Sequence, residues 1–465
     1  MTGTGGTAAG PAGSGTRLPT ERMALLFTVM LVTAAGNTAM QSVMPAIGTR
    51  LQVADFWVSL AYSWSALLWM VLAPRWARMS DRRGRKALMH LGLVGFIVSF
   101  AACGAVLWLG LNGWFTGLVT LLVFAAFRSL YGGLGSAAPP AVQAYVASRT
   151  SRDERTQAMS IISSSFGLGT VIGPAIAPLI ILPALGLTSP FIFFAMFGVM
   201  VLIALRLRLP NDDPRFQVRG RIVAEPNSSG AAGERYDDDD EDGEHGAASH
   251  HAPRAAESDT APEQRLKWTD PRLRPWLIAG LVGGHANAII LGLIGFLLLD
   301  RLGLRATPEL AAGPTGIVLM SGAFATLLAQ WGLIPYLHMG PRTATLWGIG
   351  LAAIGCSIVG FSSELNAITL GFVISSLGFG LFRPGFTAGS SLAVRRWEQG
   401  QVAGIVASVN GAAYIIAPAL GVYLYNIAPI EAFALIVGLC IFVLVWGHRA
   451  LQFDSSLTAT PVDTD

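Results

Sequence analysis

The sequence predicts an all-α integral membrane protein: twelve transmembrane helices in two pseudo-symmetric six-helix bundles. Three observations carry that prediction: the composition, the spacing of apolar runs, and an internal duplication. Of 465 residues, 52% are hydrophobic and only 13% charged, the latter about half the usual share for a soluble protein. Mean hydropathy is +0.55. A soluble chain of this length would need far more charge to coat its domains. The formal charge of +3 gives no basic surface for nucleic acid.

A helix needs about 20 apolar residues to cross the hydrocarbon core. Runs of that kind fall at 23–47, 56–73, 87–109, 118–146, 158–185 and 190–205, and again at 275–299, 315–337, 344–361, 367–394, 402–427 and 429–446. Glycine and proline inside them do not veto helix, because neighbouring helices re-satisfy freed backbone groups. The first bundle is expected over 22–207 and the second over 275–450. Residues 1–21 lack a basic segment and an apolar core, so they read as a flexible tail rather than a signal peptide. Residues 451–465 read as a second tail. The stretch 208–274 contains DDDDEDGEHGAASHHAPRAAESD, a composition that cannot bury enough surface to fold alone. It reads as an acidic linker, and the spacing of His245, His250 and His251 matches no ordered metal site.

Arginine and lysine set the orientation. The loop after the second run carries Arg75, Arg78, Arg82, Arg83, Arg85 and Lys86; later loops carry Arg149, Arg152 and Arg155, then Arg395 and Arg396. Alternate loops are poor, with Arg50 on one and Arg301 and Arg305 on another. Even-numbered spans therefore end in the cytoplasm and both termini are cytoplasmic, in a plasma (inner) membrane. Cys103, Cys356 and Cys440 lie in apolar runs without a metal or redox spacing partner. Neither a metal nor a cofactor is called for.

The duplication is legible at a fixed offset of 244 residues. It pairs Gln157 with Gln401, Ile161 with Ile405, Ser164 with Ser408, Gly167 with Gly411 and Pro174 with Pro418. Upstream it pairs Pro140 with Pro384 and Glu154 with Glu398. Two related six-span units fit a transporter that rocks its halves around a central site.

Three motifs then carry a resemblance. The loop PRWARMSDRRGRKAL presents Asp81, Arg82, Gly84, Arg85 and Lys86 in the order of a cytoplasmic signature, with Ala77 where that signature has glycine. The fourth span holds Arg128 in RSLYGGLGSA, and the fifth holds Gly169, Gly173 and Pro174 in GLGTVIGPAIAP. Together they resemble the major facilitator superfamily, and the fifth-span motif resembles its twelve-span drug:proton antiporter branch. The resemblance implies the major facilitator fold and a proton-coupled exporter of drugs, toxic compounds or metabolites. It also implies a conformational latch at Asp81, Arg82, Gly84, Arg85 and Lys86, and an exporter-like packing motif at Gly169, Gly173 and Pro174. Small residues at i and i+4 let helices approach closely, and proline bends the span.

On its own terms the sequence departs from a simple proton antiporter. Asn37 stands in the first span where an acid would serve, and no Asp or Glu lies deep in any run. An amide carries no proton at neutral pH; His285 in the seventh span is the alternative proton carrier that the runs offer. The charges in mid-span are basic, Arg128 and Arg383. Guanidinium groups facing a cavity attract anions, so the substrate is expected to be anionic or zwitterionic, such as an organic acid or siderophore, moved outward or inward. Asn37, Gln41, Tyr131, Asn287, Asn410 and Tyr414 join Arg128, His285 and Arg383 as the expected substrate and coupling cavity. Gln143 and Gln330 are further mid-span polar groups, and Trp64 and Trp69 are cavity walls or interface anchors. Partners are the small molecule, protons and the bilayer, with no nucleic acid, and the two-bundle plan can work as a monomer. No G-x-x-x-x-G-K-[ST] loop is present to power transport, and neither a soluble effector domain nor a catalytic set marks a receptor or an enzyme.

Overall fold

In the computed structural model, residues 19–147, 149–150, 152–210, 266–394 and 399–458 are described. Most of the first expected tail, the acidic linker over 211–265 with its histidines, and residues 459–465 of the second tail lie outside the described residues. So do Arg395, Arg396 and Glu398. The helices of the first half are α1 (Thr20–Arg50), α2 (Asp55–Arg83), α3 (Arg85–Leu111), α4 (Gly117–Gly133), α5 (Ala138–Ala147), α6 (Arg152–Ile176) and α7 (Ser189–Arg208). The second half holds α8 (Arg274–Arg301), α9 (Ala312–Leu327), the single turn α10 (Ile334–Tyr336), α11 (Pro341–Phe361), α12 (Leu365–Leu392), α13 (Gln399–Ile427), α14 (Pro429–Ala450) and the short terminal α15 (Asp454–Thr458).

Eleven segments among the described residues are long and apolar enough to cross a bilayer; the fifth expected span has a shorter apolar stretch, Ser164–Ile180, within and just beyond α6. The departures from twelve unbroken rods have local causes. The fourth span breaks into α4 and α5 around a 3-10 turn, Gly135–Ala137. Pro139 and Pro140 follow it, and neither has an N–H to continue the α-helical ladder. The fifth span stops at Ile176 rather than 185, passing through the 3-10 turn Ala177–Ile180 around Pro178. Gly186, with φ of +54°, then turns the chain. The eighth span widens into a π-turn, Leu328–Leu333, before Pro335.

The packing repeats between halves. Within the first, α1 lies against α6 and α3 against α4 and α7; within the second, α8 lies against α13 and α11 against α12 and α14. Across the halves, α2 packs on α13 and α6 on α9. The duplicated Pro174 and Pro418 both line the central cavity, one on α6 and one on α13. Small residues make these contacts possible. A Cβ on Gly169 would sit 2.7 Å from Ala34 Cβ and 2.8 Å from the Leu31 carbonyl, and one on Gly173 would strike the Ala35 carbonyl and Thr38. The fifth-span motif is thus the face by which α6 seats on α1, and Thr38 Oγ1 lies 3.3 Å from the Gly169 carbonyl it donates to.

Candidate functional site

Between the halves lies a cavity of about 220 Å³, lined by α1, α2, α4, α6, α8, α9, α12 and α13 together with the π-turn. Seven of the residues expected there line it: Asn37, Gln41, Arg128, Tyr131, Asn287, Arg383 and Tyr414. Gln330 and Trp69 line it too, whereas Trp64 is 47% exposed on the outer surface and donates from Nε1 to Ser129 Oγ at 2.7 Å. Two expected residues are not brought in. His285 Nδ1 is hydrogen-bonded to the Leu281 carbonyl at 2.7 Å, and Asn410 is buried away from the cavity wall. Gln143 likewise lies elsewhere in the interior.

Arg128 is the centre of the site. It is 3% exposed, and a guanidinium at this depth costs several kcal/mol, about 3 on insertion scales, unless compensated. The compensation is neutral. Nη2 donates to Asn37 Oδ1 across from α4 to α1. The guanidinium carbon lies 4.3 Å from the centroid of the Tyr131 ring and 5.6 Å from that of Phe100, cation–π contacts worth about 2 kcal/mol when desolvated. Among the described residues Nε and Nη1 have no hydrogen-bond partner, and neither has Trp69 Nε1, whose ring packs 5.3 Å from Tyr131. No Asp or Glu lines the cavity among the described residues. The charge of Arg128 is therefore solvated by an amide and aromatic faces while remaining unneutralised, and unused N–H donors stand beside it.

The second half contributes a polar strut. Asn287 Nδ2 on α8 donates to the Tyr414 hydroxyl on α13 at 2.9 Å. Arg383 reaches the cavity from α12, one residue before the internal Pro384. Sequence reasoning missed Tyr62, Ser65, Phe166, Thr170, Thr326, Phe372 and Ser376, which also line the space. The signal was present but weak: Tyr62, Ser65 and Trp69 recur at helical spacing on one face of α2.

The arginine-rich loop is partly described. Gly84 has φ of +90° between α2 and α3, the conformation the tight turn demands. Arg85 is buried, and Lys86 Nζ donates to the Leu209 carbonyl and, at 3.3 Å, to that of Arg206, pinning the end of α7. The side chains of Asp81 and Arg82 lie outside the described residues.

A bilayer-spanning, duplicated bundle around a central cavity with polar groups defines a membrane transporter rather than an enzyme. The sequence profile of the Major Facilitator Superfamily matches residues 26–337, and the chain belongs to that family. Among similar proteins, the probable actinorhodin transporter of Streptomyces coelicolor is 28% identical over 232 residues, 47% of this chain and 36% of that one. Multidrug resistance protein 1 of Bacillus subtilis is 27% identical over 198 residues, 42% and 47% of the two chains. The match thus spans a third to a half of these relatives' lengths. The solved D-xylose–proton symporter shares the fold with a TM-score of 0.70 at 11% identity, covering 95% of this chain and 99% of its own. An inward-facing bacterial homologue of the lysosomal transporter Spinster does so with a TM-score of 0.66 at 12% identity, covering 93% and 96%.

Proposed function

We propose that this transporter is a secondary exporter of small molecules bearing an anionic or zwitterionic group, driven by the proton gradient and working by alternating access. The observation that carries the substrate class is Arg128: a buried guanidinium on the cavity wall, held by a neutral amide, with N–H donors to spare and no acid lining the space among the described residues. An anionic oxygen supplies the acceptor that this arrangement lacks. The aromatic lining of Tyr62, Trp69, Tyr131, Phe166, Phe372 and Phe379 favours an amphipathic molecule over a fully hydrated one. Export is supported by the names of the relatives, which include multidrug resistance protein 1 of Bacillus subtilis. The arginine-rich loops face the cytoplasm of a plasma (inner) membrane in this reading, with both termini on the same side. One chain builds the whole cavity, so a monomer suffices.

Inside-out vesicles with an imposed pH gradient test it. A citrate-type chelator should accumulate in vesicles carrying the wild-type protein and fall to background with Arg128→Ala at equal membrane abundance. Gradient-driven uptake of ethidium with no uptake of the anion would overturn the substrate class. Equal anion uptake by Arg128→Ala and Arg383→Ala would remove the arginines from it.

A further inference from the structure

Among the described residues the cavity has no carboxylate, but one buried carboxylate is present, and it sits where the two halves meet. Asp55, 4% exposed, begins α2 just after the loop that leaves α1. Its partner comes from the other half. Arg305, in the loop between α8 and the 3-10 turn Pro308–Ala311, donates from Nη1 to Asp55 Oδ1 at 3.0 Å and from Nη2 to Asp55 Oδ2 at 2.6 Å. Its Nε donates to Asp300 Oδ1 at 2.6 Å, and Nη1 also reaches Thr49 Oγ1 at 3.4 Å. A second ion pair crosses beside it, Arg50 to Glu309 at 2.9 Å, this one half exposed.

Apolar contacts close the same end. Phe56 and Tyr423 meet edge to face with centroids 5.8 Å apart. A Cβ on Gly316 of α9 would lie 2.6 Å from the Pro174 carbonyl, and one on Gly295 of α8 would lie 2.5 Å from Pro45. These contacts join first-half to second-half residues at the face opposite the arginine-rich loops.

We infer that Arg305 and Asp55 form a clamp between the halves that holds the cavity shut at this face, with Arg50 and Glu309 as its weaker outer member. The chemistry explains the choice of residues. A buried carboxylate is tolerable only while paired, so Asp55 favours the closed arrangement as long as Arg305 is at hand. When the halves part, water reaches Asp55 and takes over its solvation. The pair therefore biases the equilibrium without making closure irreversible. Asp300, in the same half as Arg305, steers the guanidinium from behind. The Arg305 guanidinium stays charged: its hydrogen bonds to Asp55 raise its pKa above the ordinary arginine value, outweighing the opposing effect of burial, and those to Asp300 add to the rise. The two-pronged geometry needs arginine, because a lysine ammonium cannot bridge both carboxylate oxygens in a fixed fork.

The test needs no substrate, so failure of the clamp is distinct from failure of the proposed substrate class. Spin labels on Gln52→Cys and Leu310→Cys flank the clamp without joining it. Both sites are exposed, whereas Cys103, Cys356 and Cys440 are buried. Distances are read by double electron–electron resonance on the full chain in lipid nanodiscs. Asp55→Asn and Arg305→Gln should each raise the ratio of long to short distances by about tenfold. The double variant should open no further than the more open single, since both remove one interaction. Glu309→Gln, at an exposed position that does not threaten folding, should shift the ratio by about twofold. Where Asp55→Asn yields no folded protein, Arg305→Lys replaces it and should open the same face. Unchanged distances in the folded single variants, or effects that multiply in the double variant, would overturn the clamp.

Discussion

Replacing Asn37 by aspartate is the sharpest probe of the cavity's charge. The side chains are nearly isosteric, and Asn37 Oδ1 already accepts from Arg128 Nη2, so the hydrogen bond survives and gains charge assistance. What changes is the field. An anionic substrate taking the remaining Arg128 donors would hold its charge about 6 Å from the new carboxylate. With an effective dielectric of about 20 the repulsion is about 3 kcal/mol, roughly a hundredfold in affinity. Asn37→Ala separates charge from contact: it removes the acceptor and adds no charge, and the donor it frees is open to the substrate, so its cost in affinity should be no more than about 1 kcal/mol, the net worth of a typical hydrogen bond. The assay is concentration-dependent uptake of the citrate-type chelator into inside-out vesicles, with membrane abundance matched. The expected order is wild type above Asn37→Ala above Asn37→Asp, with the apparent affinity rather than the abundance falling. Equal affinity in wild type and Asn37→Asp would refute the electrostatic reasoning, and so would equal losses in the two variants.

Three further outcomes follow from the packing and the caps. Gly173→Val drives a side chain into the Ala35 carbonyl and Thr38 on α1, so the thermal midpoint should fall by an amount corresponding to about 1–3 kcal/mol; Gly404→Ala, whose Cβ meets nothing within 4 Å, should leave it unchanged. Asp454 accepts from the Arg342 and Thr343 backbone N–H groups at 2.7 and 3.1 Å and from Thr343 Oγ1 at 2.6 Å. It caps α11 from a distant part of the chain, and Asp454→Ala should cost about 1–2 kcal/mol in thermal unfolding. Near the start of α8, Arg272 holds the Asp270 carboxyl below its ordinary value through hydrogen bonds and charge. A depressed folded-state value means that this stabilisation is complete above the unfolded value of about 4 and is lost as pH falls through the folded one. The pair is partly exposed, so wild type and Asp270→Asn should differ by no more than about 1 kcal/mol at pH 7 and converge in acid.

Much of this fold was legible because a bilayer imposes a length and a polarity on every spanning element. The offset pairs Pro174 with Pro418, and the structure puts both prolines on the cavity wall. The same offset does not superpose Arg128 on Arg383, since 383 − 244 is 139, which is proline. The helix breaks were less legible. The pair Pro139–Pro140 was in view, yet proline within a membrane run is so often absorbed that its effect at 135–137 depended on how closely α3 packs there. That approach is tight: a Cβ on Gly92 would lie 2.6 Å from Ala138 Cβ. His285 and Asn410 show the complementary limit. Composition reveals that a polar group lies in mid-span, but the helix rotation that turns it toward or away from a cavity is set by packing against neighbours.

The same limit hid the acid. By sequence depth Asp55 lies at a span end, just before the run 56–73. Its burial comes from the other half of the chain, 250 positions away, and no local pattern encodes that. The consequence is a division of charge along the molecule. In the cavity the Arg128 guanidinium is met by an amide and aromatic rings, so its field stays available to a ligand. At the closed face two arginines are met by carboxylates across the interface, so their charge is spent on holding the halves together. A carboxylate moved from the second place to the first should therefore harm binding while leaving closure intact, and removal of Asp55 should do the reverse. Asn37→Asp and Asp55→Asn, measured side by side for chelator affinity and for loop separation, must show opposite patterns if the two sites have separate roles.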